Sequence, residues 1–275
     1  MNNRVCITIL VDNTTSKQNL LTEHGLSLWI EYGDKHILFD AGQSDILFHN
    51  AEILGVDLTR TDVIILSHGH YDHTGGLCAV LELAPRSVIY IHPGTIKPKY
   101  SCKELKVRSI GMPEAAKQAI KNHNVVWTEK PVQLCKGVTL TGQIPRRNCF
   151  EDVGGAFFVD ENCHKKDSLL DDQAIFFETK QGLVVLLGCA HAGVVNTLDY
   201  VIKLTNRRNI YAIIGGMHLI NANLTRIKNT IEAFKKYDIQ KIMPLHCTGQ
   251  EAAEKIKKTF GEKYVSSEAG AQIVF

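Results

Sequence analysis

The chain has 275 residues, of which 44% are hydrophobic and 22% are charged, and its formal net charge is +2. This length suffices for one large α/β domain with a substantial core, or for two small domains. The near-neutral charge gives no general preference for nucleic acid, and apolar runs such as Leu183 to Leu187 are too short to cross a bilayer. We therefore expect a cytoplasmic protein whose partner is a small molecule.

The first residues and the cysteines support the same expectation. Met1-Asn2-Asn3-Arg4 leads into a strand-like segment and is not typical of a signal peptide. The cysteines are residues 6, 78, 102, 135, 149, 163, 189 and 247. Because they stand singly, with no C-x-x-C pair, they fit neither a zinc ribbon nor an iron–sulfur cluster. We expect reduced thiols, several of them buried.

The first half of the sequence predicts short strands that alternate with helices. Runs of β-branched and apolar residues predict strands at 4–11, 26–31, 35–39, 62–66 and 87–91. A helix is predicted over 44–54, with Ser44 as its N-cap and Gly55 as its stop, and another over 74–83 before Pro85. The apolar run at 62–66 is typical of a strand that is covered on both faces.

The second half repeats this pattern. A hairpin is predicted from 174–178 and 183–187, and further strands at 210–214, 241–245 and 271–274. Helices are predicted at 194–204, 224–236 and 250–260. Because strand, histidine and helix follow one another in both halves, we predict a layered α/β/β/α sandwich with two sheets face to face and helices outside.

The segment 93–170 between the halves is expected to be an irregular insertion within a single domain that spans 1–275. It contains five prolines, at 93, 98, 113, 131 and 145. Among its basic residues are Lys97, Lys99, Lys103, Lys106, Arg108, Arg146 and Arg147. Long insertions often form the walls of a pocket, and the polar loop 12–25 is a candidate for the opposite wall.

A histidine-rich turn follows the strand predicted at 62–66. It reads His68-Gly69-His70-Tyr71-Asp72-His73, so that four candidate metal ligands fall within six residues. A bound divalent ion lowers the pKa of a water molecule to about 7, and two ions roughly 3.5–4 Å apart stabilise both the attacking and the leaving oxygen. The spacing predicts a catalytic site with one or two metal ions, and a solvated histidine-rich turn is the alternative.

This turn resembles the H-x-H-x-D-H signature of the metallo-β-lactamase superfamily, and the resemblance extends over nearly the whole chain. Matching segments of one branch include 23–27, 38–42, 67–77, 171–174, 188–193, 215–219 and 244–249. That branch contains uncharacterised metal-dependent hydrolases and the 7,8-dihydropterin-6-methyl-4-(β-D-ribofuranosyl)aminobenzene 5'-phosphate synthase family. The resemblance implies the α/β/β/α fold and one or two divalent ions.

Six ligands follow from the resemblance, residue by residue. The first metal ion would be bound by His68, His70 and His191. The second would be bound by Asp72, His73 and His246. His191 and His246 each end a predicted strand, as His68 does. Zinc is the metal that we favour, and manganese or iron(II) suits the same ligands.

One departure from the superfamily concerns the aspartate that usually bridges the two metals. Here the strand predicted at 210–214 runs into Gly215-Gly216-Met217-His218, with no carboxylate at its end. The nearest acids after His191 are Asp199 and Glu232, and both fall inside predicted helices. Either His218 takes a ligand role or it faces the substrate, and we favour the second. Loss of the bridging anion is expected to weaken binding of the second ion.

Other residues are candidates for supporting roles. Asp40 resembles the superfamily aspartate that orients a metal-binding histidine, although a plain turn residue is the alternative. Glu23 and His24 are candidates for the pocket, or are an exposed pair on a loop. Asp72 is also a candidate to orient the nucleophile or to transfer its proton.

The remaining candidates are two groups of polar residues, at 171–173 and at 146–147. Asp171, Asp172 and Gln173 resemble pocket residues of the branch, with a polar turn as the alternative. Arg146 and Arg147 are candidates to bind a phosphate through paired hydrogen bonds, or are solvated on a loop.

Three functions remain open. The first is hydrolysis of a small, anionic or phosphorylated substrate by metal-bound hydroxide. The second is transfer with release of diphosphate, as the synthase resemblance implies. The third is a metal or redox sensor that has lost catalysis, suggested by the missing aspartate and the many cysteines. A flavin-diiron carrier, a β-lactamase and a ribonuclease are not expected, and the sequence does not indicate an oligomeric state.

Overall fold

The computed structural model describes residues 4–103 and 106–275. Within it the chain forms two units. Unit 1 consists of Met1–Thr128, Ala156–Asp167 and Glu268–Phe275, and unit 2 of Glu129–Gly155 and Ser168–Ser267. The sequence predicts that the first residues are not a signal peptide, and residues 1–3 of that segment lie outside the described residues. A single domain over 1–275 stays a prediction.

The secondary structure follows the sequence pattern closely. The strands are β1 Val5–Val11, β2 Ser27–Tyr32, β3 Lys35–Phe39, β4 Val63–Ile65, β5 Val88–Ile91, β6 Tyr100–Lys103, β7 Lys106–Ser109, β8 Asn124–Trp127, β9 Val132–Cys135, β10 Val138–Leu140, β11 Phe157–Phe158, β12 Ile175–Glu178, β13 Leu183–Leu187, β14 Asn209–Gly216, β15 Asp238–Leu245 and β16 Gln272–Val274. The helices are α1 Ile46–Ile53, α2 Tyr71–Thr74, α3 Leu77–Leu83, α4 Glu114–Ile120, α5 Val194–Thr205, α6 Leu224–Phe234 and α7 Gln250–Phe260. The strands predicted at 35–39 and 183–187 agree residue for residue.

Unit 1 is built on a seven-stranded sheet in the order β16-β1-β2-β3-β4-β5-β8. Strands β1 to β3 pair as antiparallel neighbours, whereas β3, β4, β5 and β8 are parallel. Carboxyl ends of neighbouring parallel strands lie at the same edge of a sheet, where ligands bind in open α/β sheets. The residues that follow β3, β4 and β5 therefore share one edge of this unit.

The core of unit 1 joins this sheet to its helices. Buried side chains of the strands, among them Leu38 and Ile64, pack in one cluster with Leu47 of α1, Leu81 of α3 and Ile120 of α4. Each of these side chains is at most 4% exposed. Burial of a leucine or isoleucine contributes about 1.5–3 kcal/mol to stability, so this cluster holds the parallel strands, and with them their carboxyl ends, in place.

Unit 2 is built on a six-stranded sheet in the order β15-β14-β13-β12-β10-β9. The predicted hairpin of β12 and β13 is antiparallel, and β13, β14 and β15 are parallel to one another. Strand β13 is buried at all five positions, which matches its continuous apolar sequence. Helices α5, α6 and α7 contribute Leu198, Ile227 and Ile256 to the core of this unit.

The segment 93–170, predicted to be irregular, contains strands and the helix α4, but residues 141–156 carry no helix or strand. Strand β8 extends the sheet of unit 1, and β9 and β10 extend the sheet of unit 2. Strands β11, β6 and β7 form a three-stranded sheet of their own in unit 1. These strands have two to four residues each and few fully buried positions, so the sequence lacks the alternation that reveals a strand.

Two predicted helix boundaries also needed correction. Helix α1 has Asp45 at its N-cap, although the Ser44 hydroxyl, which donates to Glu23, still accepts a hydrogen bond from the backbone nitrogen of Ile46. The helix predicted over 74–83 is divided into α2 and α3 at Gly75-Gly76. A Cβ at Gly75 would lie 2.0 Å from the carbonyl oxygen of Gln43, so glycine is required where this turn packs against the residues after β3.

Among the described residues, every helix is too short or too polar to cross a membrane.

Candidate metal centre

The histidine-rich turn of unit 1 begins after β4 and is buried. His68 and His73 are fully buried, and His70 and Asp72 are only 5% and 6% exposed. His70 is the N-cap residue of the short helix α2, which carries Asp72 and His73. The predicted context of a strand before the turn and a helix after it is therefore confirmed.

Two imidazole nitrogens in this turn lie close together. Nε2 of His68 is 3.0 Å from Nδ1 of His70, and the two rings meet edge to face. Two nitrogens bound to one tetrahedral zinc ion lie about 3.3 Å apart, given Zn–N distances of about 2.0–2.1 Å. The two atoms are thus spaced as a pair that binds one ion.

Asp40 organises this turn from the end of β3. Its carboxylate is fully buried and accepts hydrogen bonds from the backbone nitrogen and the hydroxyl of Ser67, both at 2.7 Å. Its Oδ2 is also 2.7 Å from Nδ1 of His73. Because Nδ1 of His73 is engaged in this way, Nε2 is the nitrogen that is placed to bind a metal ion.

Asp72 lies between two histidines. Its Oδ2 atom is 3.2 Å from Nε2 of His24 and 3.8 Å from Nε2 of His73. The His24 side chain is 52% exposed, whereas that of Asp72 is 8% exposed. Asp72 therefore connects a buried imidazole with one that reaches solvent, as a group that transfers protons would.

Glu23 makes a different contact. Its carboxylate accepts hydrogen bonds from the backbone nitrogens of Gln43 and Ser44 and from the Ser44 hydroxyl. These bonds hold the N-terminal loop to the segment after β3. A role of Glu23 in substrate binding stays a prediction.

The donor set of unit 1 fits a divalent metal ion. Three imidazoles and one carboxylate are buried within six residues, and burial of so many ionisable groups is costly unless they are paired or bind a metal. Imidazole with carboxylate suits zinc, manganese or iron(II). The Asp40 carboxylate, 2.7 Å from Nδ1 of His73, and the Ser67 hydroxyl, 2.9 Å from Nδ1 of His68, orient two of the rings, as residues around metal ligands commonly do.

In unit 2, His191 lies four residues after β13 and is fully buried. Its Nδ1 atom is 2.8 Å from the carbonyl oxygen of Val153, which leaves Nε2 as the nitrogen for a ligand. The Arg146 guanidinium donates to the carbonyl oxygens of His191 and Ser168. Arg146 therefore supports the His191 loop, and burial lowers the pKa of this arginine. Binding of phosphate by Arg146 and Arg147 stays a prediction.

Asp172 supports the same loop from before β12. Its Oδ2 accepts a hydrogen bond from the backbone nitrogen of Ala192 at 2.7 Å. Burial raises the pKa of the Asp172 carboxyl to about 7. Asp171 and Gln173 beside it are each 1% exposed, so all three residues are interior groups, and their role in the pocket stays a prediction.

His218 follows β14, where the superfamily usually has an aspartate. Its ring is half-buried, and its centroid lies 4.3 Å from that of His191. Backbone φ is positive at His218, at Ala190 beside His191, and at His246 after β15. Strained φ angles of this kind cluster at functional sites, because the surrounding structure has to impose them. Asp199 and Glu232 lie in α5 and α6, as predicted.

Sequence reasoning missed Glu151, which has a large structural role. Its carboxylate is 6% exposed and accepts hydrogen bonds from the backbone nitrogens of Val195 and Asn196 in the first turn of α5 and from the Asn148 side chain. Two residues later, Val153 holds His191. A carboxylate 43 residues before a helix in the sequence gives no local capping signal, so only the fold reveals it.

Sequence reasoning also left out His92 and two cysteines. His92 follows β5 in unit 1 and is 6% exposed. Cys189 and Cys247 lie beside His191 and His246 and are 2% and 3% exposed. Burial alone raises the pKa of the Cys247 thiol, but hydrogen bonding with Cys189 and the charges of His218 and His246 hold it well below its usual value.

Comparison with known proteins places these observations in a family. The model of the metallo-beta-lactamase superfamily matches residues 22–137. The 7,8-dihydropterin-6-methyl-4-(beta-D-ribofuranosyl)-aminobenzene-5'-phosphate synthase of Methanocaldococcus jannaschii is 31% identical over 266 residues, which cover 92% of this chain and 90% of that protein. An uncharacterised protein of the same organism is 34% identical over 255 residues, with 92% and 94% covered.

The structural comparison agrees. A crystal structure of a metal-dependent hydrolase of the beta-lactamase superfamily, Tm1679, superimposes with a TM-score of 0.84 at 30% identity, and 98% of each chain is covered. The predicted α/β fold class and the predicted family resemblance are thereby confirmed.

Proposed function

The chain belongs to the metallo-beta-lactamase superfamily, and we propose that it is a metal-dependent hydrolase of a small, anionic substrate. The buried donor set of His68, His70, Asp72 and His73, with His73 oriented by Asp40, carries this proposal. The similarity to a solved metal-dependent hydrolase at 30% identity supports it. Zinc is the favoured metal, with manganese or iron(II) as alternatives, and the cytoplasm is the proposed location.

Six residues are assigned to the metal ions in this proposal. His68, His70, Asp72 and His73 come from unit 1, where their spacing and burial support ligation. His191 and His246 are added on the family resemblance, and the hydrogen bond between His191 Nδ1 and Val153 supports Nε2 as its ligand atom. When bound, a divalent ion lowers the pKa of a water molecule to about 7 and activates it for attack.

The chain's own groups have distinct tasks in this proposal. Asp40 holds the proton on Nδ1 of His73, which keeps Nε2 directed away from Asp40. Asp72 accepts a proton and passes it to His24, whose Nε2 is 3.2 Å away and whose side chain reaches solvent. A contact of 3.2 Å or less is within the range over which a general base transfers a proton.

An anionic substrate is supported by exposed positive charge beside the motif. The Arg108 guanidinium lies 4.9 Å from the centre of the Tyr71 ring, and Tyr71 stands between His70 and Asp72. Arg108 is exposed. Lys99, by contrast, is buried and paired with Asp167 at 3.0 Å. Unlike Lys99, Arg108 therefore presents a positive charge beside the motif that is available to attract an anion.

The test is hydrolysis by the purified, zinc- or manganese-loaded protein of a panel of phosphomonoesters, phosphodiesters and diphosphates, with uncharged esters as the comparison set. We expect turnover of at least one anionic class, and an increase in KM for the variant Arg108→Ala with little change in kcat. Arg86→Ala, at another exposed arginine, is the matched control. Turnover confined to uncharged esters, or equal KM values for both variants, would contradict an anionic substrate.

Transfer is the second candidate function, because the synthase of Methanocaldococcus jannaschii is 31% identical over most of both chains. In this alternative an aromatic acceptor displaces diphosphate from a dihydropterin diphosphate. Incubation of the loaded protein with the diphosphate, with and without a ribofuranosyl-aminobenzene phosphate, separates the two functions. Diphosphate release that requires the acceptor supports transfer, and release without it supports hydrolysis.

A further inference from the structure

The carboxyl ends of three parallel strands of unit 2 bring two cysteines and a histidine together. Strands β13, β14 and β15 end at Leu187, Gly216 and Leu245. Cys189, His218 and Cys247 each follow their strand by two residues. Their ligand atoms, two Sγ atoms and one imidazole nitrogen, all lie within 4.8 Å of one another. The cluster therefore comes from equivalent positions on neighbouring strands.

The backbone at this edge holds the cluster in place. The amide of Ile220 donates to the carbonyl oxygen of Cys247, and the amide of Met217 donates to the Thr248 hydroxyl. These bonds tie the residues after β14 to those after β15. His218 is further constrained to a positive φ of 45°, a conformation that a side-chain-bearing residue adopts only when its surroundings impose it.

Gly216 provides the space for one sulfur atom. A Cβ at this position would lie 2.5 Å from the carbonyl oxygen of Gly188, 2.6 Å from Sγ of Cys247 and 3.4 Å from the Cα atom of Cys189. Any other residue would clash both with the backbone of Gly188 and with the Cys247 sulfur. The glycine of the Gly215-Gly216-Met217-His218 turn thus accommodates the thiol, at the point in the chain where the superfamily usually carries an aspartate.

The chemistry of the three side chains selects the class of ligand. Thiolate and imidazole favour zinc and other soft or borderline metal ions over magnesium, calcium or manganese. Two cysteines with one histidine form a known type of zinc site, in which three protein ligands leave the fourth position open. Both cysteines are buried, which protects thiolates from competing reactions in solvent.

We propose that Cys189, His218 and Cys247 form a zinc site of unit 2, with one open position. Ligand atoms on one tetrahedral zinc ion lie about 3.5–3.8 Å apart for Zn–S distances of about 2.3 Å, so the three atoms need to approach by roughly 1 Å at most. Of the two roles considered for His218, this site uses the ligand role. It goes beyond the proposed hydrolase function, because it uses none of the six residues assigned there.

Cobalt(II) is the probe for this site, because a thiolate bound to cobalt gives a charge-transfer band in the near ultraviolet that imidazole and carboxylate ligands do not. Metal-free full-length protein is titrated with Co²⁺ under anaerobic conditions. We expect the band in the wild type, about half its intensity in Cys189→Ser and in Cys247→Ser, and none in the double variant. Cys149→Ser, at an exposed thiol of the same unit, is the matched control and should keep the full band.

A second measurement uses the unaltered chain and does not depend on the folding of a variant. In dilute urea, where the fold opens transiently and buried thiols react slowly, zinc should slow alkylation of Cys189 and Cys247, whereas the exposed Cys149 is alkylated at the same rate with and without zinc. A missing band, a band of full intensity in the double variant, or equal alkylation with and without zinc overturns the proposal. The variant His68→Ala/His70→Ala should keep the thiolate band, so that failure of the hydrolytic centre is distinguished from failure of this site.

Discussion

The two units carry donor clusters of different chemistry at equivalent places in their sheets. In unit 1, residues after parallel strands offer imidazoles and carboxylates, with Asp40 orienting His73. In unit 2, residues after parallel strands offer imidazoles and the thiols of Cys189 and Cys247, with no carboxylate directly after β14. The same topology thus presents a borderline-hard donor set in one unit and a softer set in the other.

This difference indicates where specificity for a metal ion resides. Parallel strands fix the positions of the side chains, but the residue types at those positions decide which ion binds. The missing aspartate at Gly215-Gly216 removes a negative charge from unit 2, and the Cys247 sulfur lies against Gly216. Comparing variants of the two clusters under different metal ions therefore tests whether they act independently.

The largest expected effect comes from removing two ligands of unit 1. The double variant His68→Ala/His70→Ala should lose activity to background and bind less zinc per chain, because the nitrogen pair at 3.0 Å is gone. Turnover and metal content by mass spectrometry measure this. His164→Ala, at an exposed histidine of the same unit, should leave both unchanged. If the double variant retained turnover, His68 and His70 would not be part of the catalytic centre.

A second prediction separates the two clusters by stability. An ion at 100 times its Kd stabilises the folded chain by about 2.7 kcal/mol, which raises Tm by roughly 5–10 °C for a chain of this size. Manganese should give this increase through the His and Asp donors of unit 1, and the increase should persist in Cys189→Ser/Cys247→Ser. The two clusters would not differ in their preference for manganese if the increase in Tm disappeared in the cysteine variant. The same conclusion would follow if the increase persisted in His68→Ala/His70→Ala.

Asp40 gives the third prediction. Asp40→Asn keeps the size of the side chain but removes the negative charge that faces Nδ1 of His73. Changes of this kind next to a metal ligand lower affinity about 10–100-fold. Metal titration by calorimetry measures the loss. Asp45→Asn is the control, since Asp45 is an exposed aspartate of the same unit. If the Asp40→Asn variant binds the metal ion as tightly as the wild type, Asp40 is only a turn residue.

The smallest effect is expected at Glu151 in unit 2. Glu151→Ala removes the acceptor for the first amides of α5 and should lower the free energy of unfolding by about 2 kcal/mol. Urea denaturation measures it, with Glu262→Ala as an exposed control. If both variants unfold at the same urea concentration, the carboxylate does not stabilise α5.

The Glu151 carboxyl also predicts how the free energy of unfolding depends on pH. Burial raises the pKa of Glu151 above its usual 4.5, so the folded chain binds this proton more tightly than the unfolded chain. The resulting stability is fully present below pH 4.5 and is lost as the pH rises through the raised pKa. The stability difference between wild type and Glu151→Gln should therefore be largest in acid. A difference that grows toward neutral pH contradicts this assignment.

Local sequence pattern predicted most of the elements that position the unit 1 cluster. The strand 35–39 and the apolar run before Ser67 are continuous in sequence, and the ligands of the turn lie within six residues. Their placement depends on neighbours along the chain, so pattern reasoning suffices. The short strands between 93 and 170 were missed because they have two to four residues each and show little periodicity. Strand β8 also pairs with the distant β5, and β10 with the distant β12, although β6 pairs with β7 and β9 with β10.

The sequence by itself determined the superfamily, the strand-turn-helix context of His68 to His73, and the absence of an aspartate after β14. Only the tertiary structure decided what surrounds these residues. Asp40 reaches His73 across 33 positions, Val153 reaches His191 across 38, and Cys247 meets Cys189 across 58. The contacts of Asp40 and of Cys247 form because parallel strands that are distant in sequence end at one edge of a sheet, whereas Val153 reaches His191 from the segment between β10 and β11. No local pattern records which of these segments become neighbours.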